Sequence, residues 1–142
     1  MPAYNFQKQF IAKILDRSKM HTIRRRRKRP TKAHDMLMLY TGMRTKQCSL
    51  IAISECVKVE PIRIYPDRTL QIGLSWLTKD DIDELARHDG FQDRKDFFQF
   101  FEDHYELPTE GFEIITWDIG DVFMPVMGGR AGEISLKLGG GK

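Results

Sequence analysis

Two helix-like segments stand next to each other in this sequence, with strand-like segments on both sides and none between them, and that order decides the fold class. Thr78-Lys79-Asp80-Asp81 opens the first. A threonine hydroxyl there can accept the backbone N–H three residues on, while the acid reaches back to the threonine's own N–H, the reciprocal pattern of a capping box. Ile82, Leu85 and Ala86 share one face, and Gly90 ends the segment. Asp93 opens the second helix, which carries Phe97, Phe98, Phe100, Phe101 and Tyr105. Upstream, Ser49 to Val59 spells one long buried strand, which Pro61 is expected to interrupt; Ile62, Ile64 and Tyr65 then alternate with Arg63. A short strand at Thr69–Ile72 follows, and Phe112 to Trp117 returns as a closing strand. Near the start, Phe6, Phe10, Ile11, Ile14 and Leu15 recur at helical spacing and predict an amphipathic helix ending near Asp16–Ser18. Met20 to Arg25 extends as a strand before Pro30 forces a break, and apolar Met36 to Tyr40 leads into a turn through Gly42. This order predicts an α+β fold, a mixed β-barrel with flanking helices, and argues against an alternating βαβ chain. Residues 1–120 form the expected domain; 121–142 form a C-terminal extension whose six glycines from Gly128 onward predict a frayed end.

A length of 142 residues suits one domain with a real core. Met1 to Gln9 has no apolar signal region, and no run approaches the ~20 apolar residues of a membrane span, so the expected compartment is the cytoplasm. Cys48 and Cys56, eight apart in one expected strand, read as buried reduced thiols. A structural zinc would want about four clustered ligands, so neither a metal nor another cofactor is expected.

Charge is distributed unevenly. Arg24, Arg25, Arg26, Arg27, Lys28, Arg29 and Lys32 lie together with no acid among them, and since the whole chain carries +3, the remainder carries −4. Such a segment attracts polyanions by Coulomb steering and counterion release. Arginine predominates, which favours forked contacts to phosphate or base edges, and the run follows strand-like Thr22-Ile23. Tyr40, Tyr65 and Trp76 are candidate stacking platforms for splayed bases. The ordinary alternatives are a solvated basic loop and aromatic core residues. His21 and His34 flank the run and could touch phosphate, whereas His88 and His104 fall on helices as surface or cap residues.

Ser18-Lys19-Met20-His21-Thr22-Ile23-Arg24 resembles the Gly-x-Lys-x-x-Thr-Ile-Arg signature of ASCH domains, a PUA-like family, without its glycine. His34-Asp35-Met36-Leu37 is similar to the family's Gly-Asp-x-Leu, again without the glycine. Asp89-Gly90-Phe91, with the aromatic helix to Tyr105, resembles its acidic-Gly-Phe motif, and Ile114-Ile115-Thr116-Trp117 its closing strand. The resemblance spans roughly residues 6–118. It implies a PUA-like β-barrel with a cleft beside the basic strand.

One branch of that family, the N4-acetylcytidine amidohydrolases, uses a lysine, a threonine three residues later and a distant acid. Residue by residue these fall on Lys19, Thr22 and Asp89, the last standing where that branch has glutamate. In such a trio a lysine of lowered pKa takes the threonine's proton, an acid orients the lysine, and a donor such as Arg24 or a backbone N–H near Met20 meets the oxyanion. The metal-dependent ribonuclease reading attached to some ASCH proteins would need clustered acids. Asp80, Asp81, Asp83 and Glu84 do cluster, but at a helix start where the dipole accounts for them.

Three functions follow as expectations. The first is binding of RNA, or of a nucleoside or nucleotide derived from it, in the cleft, with Arg24, Arg25, Arg26, Arg27, Lys28, Arg29, Lys32 and Tyr40 in contact. The second is amide hydrolysis of acetylated cytidine by Lys19, Thr22 and Asp89. The third is a protein-interaction adaptor whose basic segment meets an acidic partner.

Overall fold

The computed structural model describes residues 1–125 and 134–138. Strand β1 (Ala3–Phe6) leads through a 3-10 turn at Lys8–Phe10 into the short helix α1 (Ile11–Leu15). Then come β2 (His21–Arg25), β3 (Met36–Thr41), the long β4 (Ser49–Ile64), β5 (Leu70–Ile72), β6 (Ser75–Trp76), α2 (Lys79–His88), α3 (Arg94–His104), β7 (Phe112–Pro125) and β8 (Ile134–Leu138). The α+β class holds: strands make one mixed sheet and the helices pack against it.

β4 and β7 form the antiparallel spine. β4 carries β3 and then β5 along its other side, and β7 carries β2 and then β8 along its own. β1 adds parallel to β3, with Tyr4 opposite Leu39 and Phe6 opposite Thr41. Among the described residues no ladder joins β1 to β2, so the sheet is not closed into a barrel. Side chains bridge the seam instead. Arg24 on β2 donates to the Asn5 carbonyl of β1 at 2.5 Å, and Arg27, just past β2, donates to the Ala3 carbonyl.

Several expectations change here. Phe6 belongs to a strand rather than a helix. Its spacing to Phe10 and Ile14 imitates a helical face, but Tyr4 and Phe6 alternate inward from β1 into the same core. Pro61 does not end β4. Its carbonyl accepts from Gly73 N, so its missing N–H faces the side of β4 where β5 runs out, and no inner ladder bond is lost. Cys48 lies just before β4 and is exposed, while Cys56 is buried; both thiols are free, and burial raises that of Cys56 to about 11. The boundary expected at 120/121 falls inside β7. The glycine-rich end lies outside the described residues.

Two apolar clusters flank the sheet. One gathers Tyr4, Phe6, Phe10, Ile14, Leu37 and Trp117 around α1. The other lies under α2 and α3 and is built on Phe97, Phe98, Phe101, Ile64 and Phe112. Phe91 packs against both and joins them at the point where α2 gives way to α3. The helices start as the sequence predicts: Thr78 and Asp81 form the capping box of α2, and Asp93 accepts from Asp96 N to cap α3.

Candidate functional site

The segment after α1 is fastened to the C-terminal end of α2. Lys19 N donates to Lys13 O, and Met20 N donates to His88 O at 2.9 Å, filling one of the carbonyls a helix end leaves unpaired. Cations gather at the same end, where the helix dipole favours them. Lys13 Nζ donates to Gly90 O and Lys19 Nζ to Asp89 O, each at 2.5 Å. Gly90 is required here for two reasons. Its φ of +100° is a region side chains avoid, and a Cβ would stand 2.7 Å from the Phe10 ring.

Asp89, the C-cap residue of α2, turns its side chain inward to a buried ion pair. Its Oδ1 lies 3.1 Å from Lys19 Nζ and 3.0 Å from His21 Nδ1. Lys19 is 2% exposed, and Asp89 and His21 are 4% exposed, so water screens none of them. Burial pushes the Lys19 ammonium below its usual range, and the Asp89 charge restores only part of that. Burial pushes the Asp89 carboxyl up, but the Lys19 charge and the His21 hydrogen bond outweigh it and leave the group ionised below the usual carboxylate range.

Thr22 points into the same cleft, with its hydroxyl oxygen accepting from Arg24 Nε at 2.9 Å. The cleft, about 240 Å³, opens along the β1–β2 seam. Phe6, Phe10, Phe91, Phe100, Phe101, His104 and Tyr105 supply its rings. Asn5, Gln7, Lys19, Thr22, Arg24 and Asp89 bring polar groups to it. The Arg24 guanidinium sits 4.9 Å from the Phe6 ring centre, and Lys19 Nζ 4.8 Å from that of Phe10.

The three trio residues expected from the sequence therefore line one cleft, but they are not chained as a nucleophile and its base. The three N–H groups of Lys19 go to His21 O, Asp89 O and Asp89 Oδ1, and Thr22 is bonded by Arg24. A proton could pass from Thr22 to Lys19 only after the ammonium has lost one of its own, a loss that burial favours.

The seven cations divide. Arg24, Arg25 and Arg27 are engaged within the chain: Arg24 and Arg27 hold β1, and Arg25 lies 5.1 Å from the Phe112 ring. Arg26, Lys28, Arg29 and Lys32 are exposed, and their side chains have no partner among the described residues. Arg26 and Lys32 line an open hollow together with Lys58. Tyr40 is half-buried on β3 and does not line the cleft. Tyr65 and Trp76 lie against each other, ring centres 5.3 Å apart, and also stand outside it.

His34 is exposed and bonded to Glu55. His104 stacks on Phe100 and lines the cleft, a place its helical position did not reveal. Sequence reasoning also missed the bond from His21 to Asp89 and the aromatic lining. The run of phenylalanines on α3 was visible, but not which of them the seam would leave uncovered.

Among the described residues, no three His, Cys, Asp or Glu side chains come together to hold a metal ion, and no helix is long and apolar enough to cross a membrane. Comparison of the chain with models of protein families, with curated proteins and with solved structures gave no match. The likeness to ASCH domains accordingly rests on the motifs quoted above.

Proposed function

We propose that this chain is an ASCH-type, PUA-like module, its barrel open at the β1–β2 seam, that binds single-stranded RNA, or a nucleoside or nucleotide derived from it, in the cleft. The observation that carries this reading is the cleft's lining. Rings of Phe6, Phe10, Phe91 and Tyr105 offer faces and edges to a planar base, and Asn5, Gln7, Thr22 and Arg24 offer donors and acceptors to its rim. The free cations Arg26, Lys28, Arg29 and Lys32 continue from the end of β2, where a phosphate chain leaving the cleft would meet them. Titrating a short single-stranded RNA into the labelled protein should shift the amides of Thr22, Arg24, Phe91 and Tyr105 together. Shifts confined to residues 26–32 would reject the cleft as the base site.

A second reading is favoured by one observation, the buried Lys19–Asp89 pair beside Thr22. Arg24 Nε, already on the threonine oxygen, would stabilise an alkoxide there. On this reading the Thr22 oxygen takes the acetyl group of N4-acetylcytidine as cytidine leaves, water then frees it as acetate, and Thr22→Ala abolishes the release while leaving the fold intact. Absence of turnover by the unaltered protein at stoichiometric concentration rejects it.

A further inference from the structure

Asp89 uses its two carboxylate oxygens unequally. Oδ1 takes both buried donors, Lys19 Nζ and His21 Nδ1. Oδ2 has no hydrogen-bond partner among the described residues. The unpartnered side-chain atoms that are also sealed from water belong, among the described residues, to Arg17 and His21. Oδ2 is therefore unpartnered but not sealed, and shares in the 6% of the Asp89 side chain that solvent still reaches. Asp89 lines the aromatic cleft and does not line the neighbouring hollow that His21 borders between β2, β4, β7 and α2. The open oxygen thus belongs to the cleft. Because Asp89 is ionised, that oxygen accepts and has no proton to give.

A ligand that fills the cleft displaces the water at Oδ2 and must replace its hydrogen bond, or a charged acceptor is left dry among aromatic rings. The rest of the cleft specifies the donor. Lys19 and Arg24 outnumber Asp89 in charge, so an ammonium is repelled and the donor must be neutral. An amino group conjugated to an aromatic ring is such a donor, and its ring suits the faces of Phe10 and Phe91. Arg24 bonds Thr22 through Nε and the Asn5 carbonyl through Nη2, which leaves Nη1 without a partner among the described residues. Thr22 accepts that bond and keeps its own hydroxyl hydrogen free. One open acceptor and two open donors are complementary to an amino group with a ring nitrogen or carbonyl beside it.

We propose that Asp89 Oδ2 determines which base the cleft takes, by accepting an N–H from the exocyclic amino group of an unpaired base. The assignment rests on the cleft being a base site, and adds that its ligand is an amino-bearing base read at the edge that duplex pairing would occupy. Two pairs of ribosides test it on the unaltered full chain, so a lost fold cannot be mistaken for a lost contact. Cytidine is compared with the riboside of pyrimidin-2-one, and adenosine with that of purine, each lacking only the amino group. Aspartate labelled at the carboxyl carbon reports the contact directly, and backbone amides report the cleft. The amino riboside should move the Asp89 carboxyl resonance together with the Thr22 and Phe91 amides. Its counterpart should bind at least about tenfold more weakly, because the carboxylate loses its donor. Equal affinity within either pair, or a carboxyl resonance that stays still while the cleft amides shift, would overturn the role of Asp89 and leave the cleft as a base site. Cleft amides unmoved by all four would overturn both.

Discussion

Asp89 serves two buried partners with a single oxygen, 3.1 Å from Lys19 Nζ and 3.0 Å from His21 Nδ1. Its folded pKa lies below the ordinary value, burial opposing the shift and Lys19 and His21 imposing it. A carboxyl so depressed contributes stability above its unfolded pKa of ~3.9, and that contribution is lost as pH falls through the lower folded value. Urea midpoints should accordingly drop as pH goes below about 4. Asp89→Asn should lose about 3–5 kcal/mol at neutral pH, because Lys19 stays buried without its counter-charge, and its acid limb should be flatter. A variant as stable as the parent in urea at neutral pH would contradict this. Nothing local in the sequence pairs Lys19 with Asp89, which are 70 residues apart; only the motif resemblance set them in one site. In the sequence His21 flanks the basic run, where it could touch phosphate. Its inward turn depends on where α2 ends in space, which the chain does not spell locally.

Element by element, local chemistry was the legible part. Thr78, Asp81 and Asp93 announced both helix starts because a cap is satisfied within four residues of itself. Thr78→Ala should cost about 1 kcal/mol by thermal or urea unfolding, leaving the Lys19–Asp89 pair at the other end of α2 in place. Non-local pairing was not legible. β1 is a strand because β3, more than thirty residues on, offers it a parallel edge, whereas within its own window Phe6 fits a helix equally well. Pro61 tells the same story: whether a proline interrupts a strand depends on which neighbour its missing N–H would have faced. The β1–β2 seam, and with it the cleft, follows from that unseen pairing.

Across the whole molecule, the basic segment divides along its length. Arg24 and Arg27 bond to β1, while Arg26, Lys28, Arg29 and Lys32 are exposed and, on the proposed reading, would meet a polyanion. Replacing the latter four with serine should make the log–log salt dependence of single-stranded RNA affinity shallower by roughly 0.7 per residue that meets a phosphate. Fluorescence anisotropy across a salt series measures this, and an unchanged slope would assign those cations to something other than phosphate. The two arginines on β1 carry a different consequence. On a parallel edge strand alternate carbonyls face outward, and in β1 those of Ala3 and Asn5 do, while Pro2 O and Phe6 O accept from β3. A bare edge of that kind is a template on which a strand from a second molecule can assemble. Both outward carbonyls already hold an arginine, and the charge that comes with it repels the next chain. The seam that leaves the sheet open is thus already occupied at the two carbonyls an added strand would have to meet.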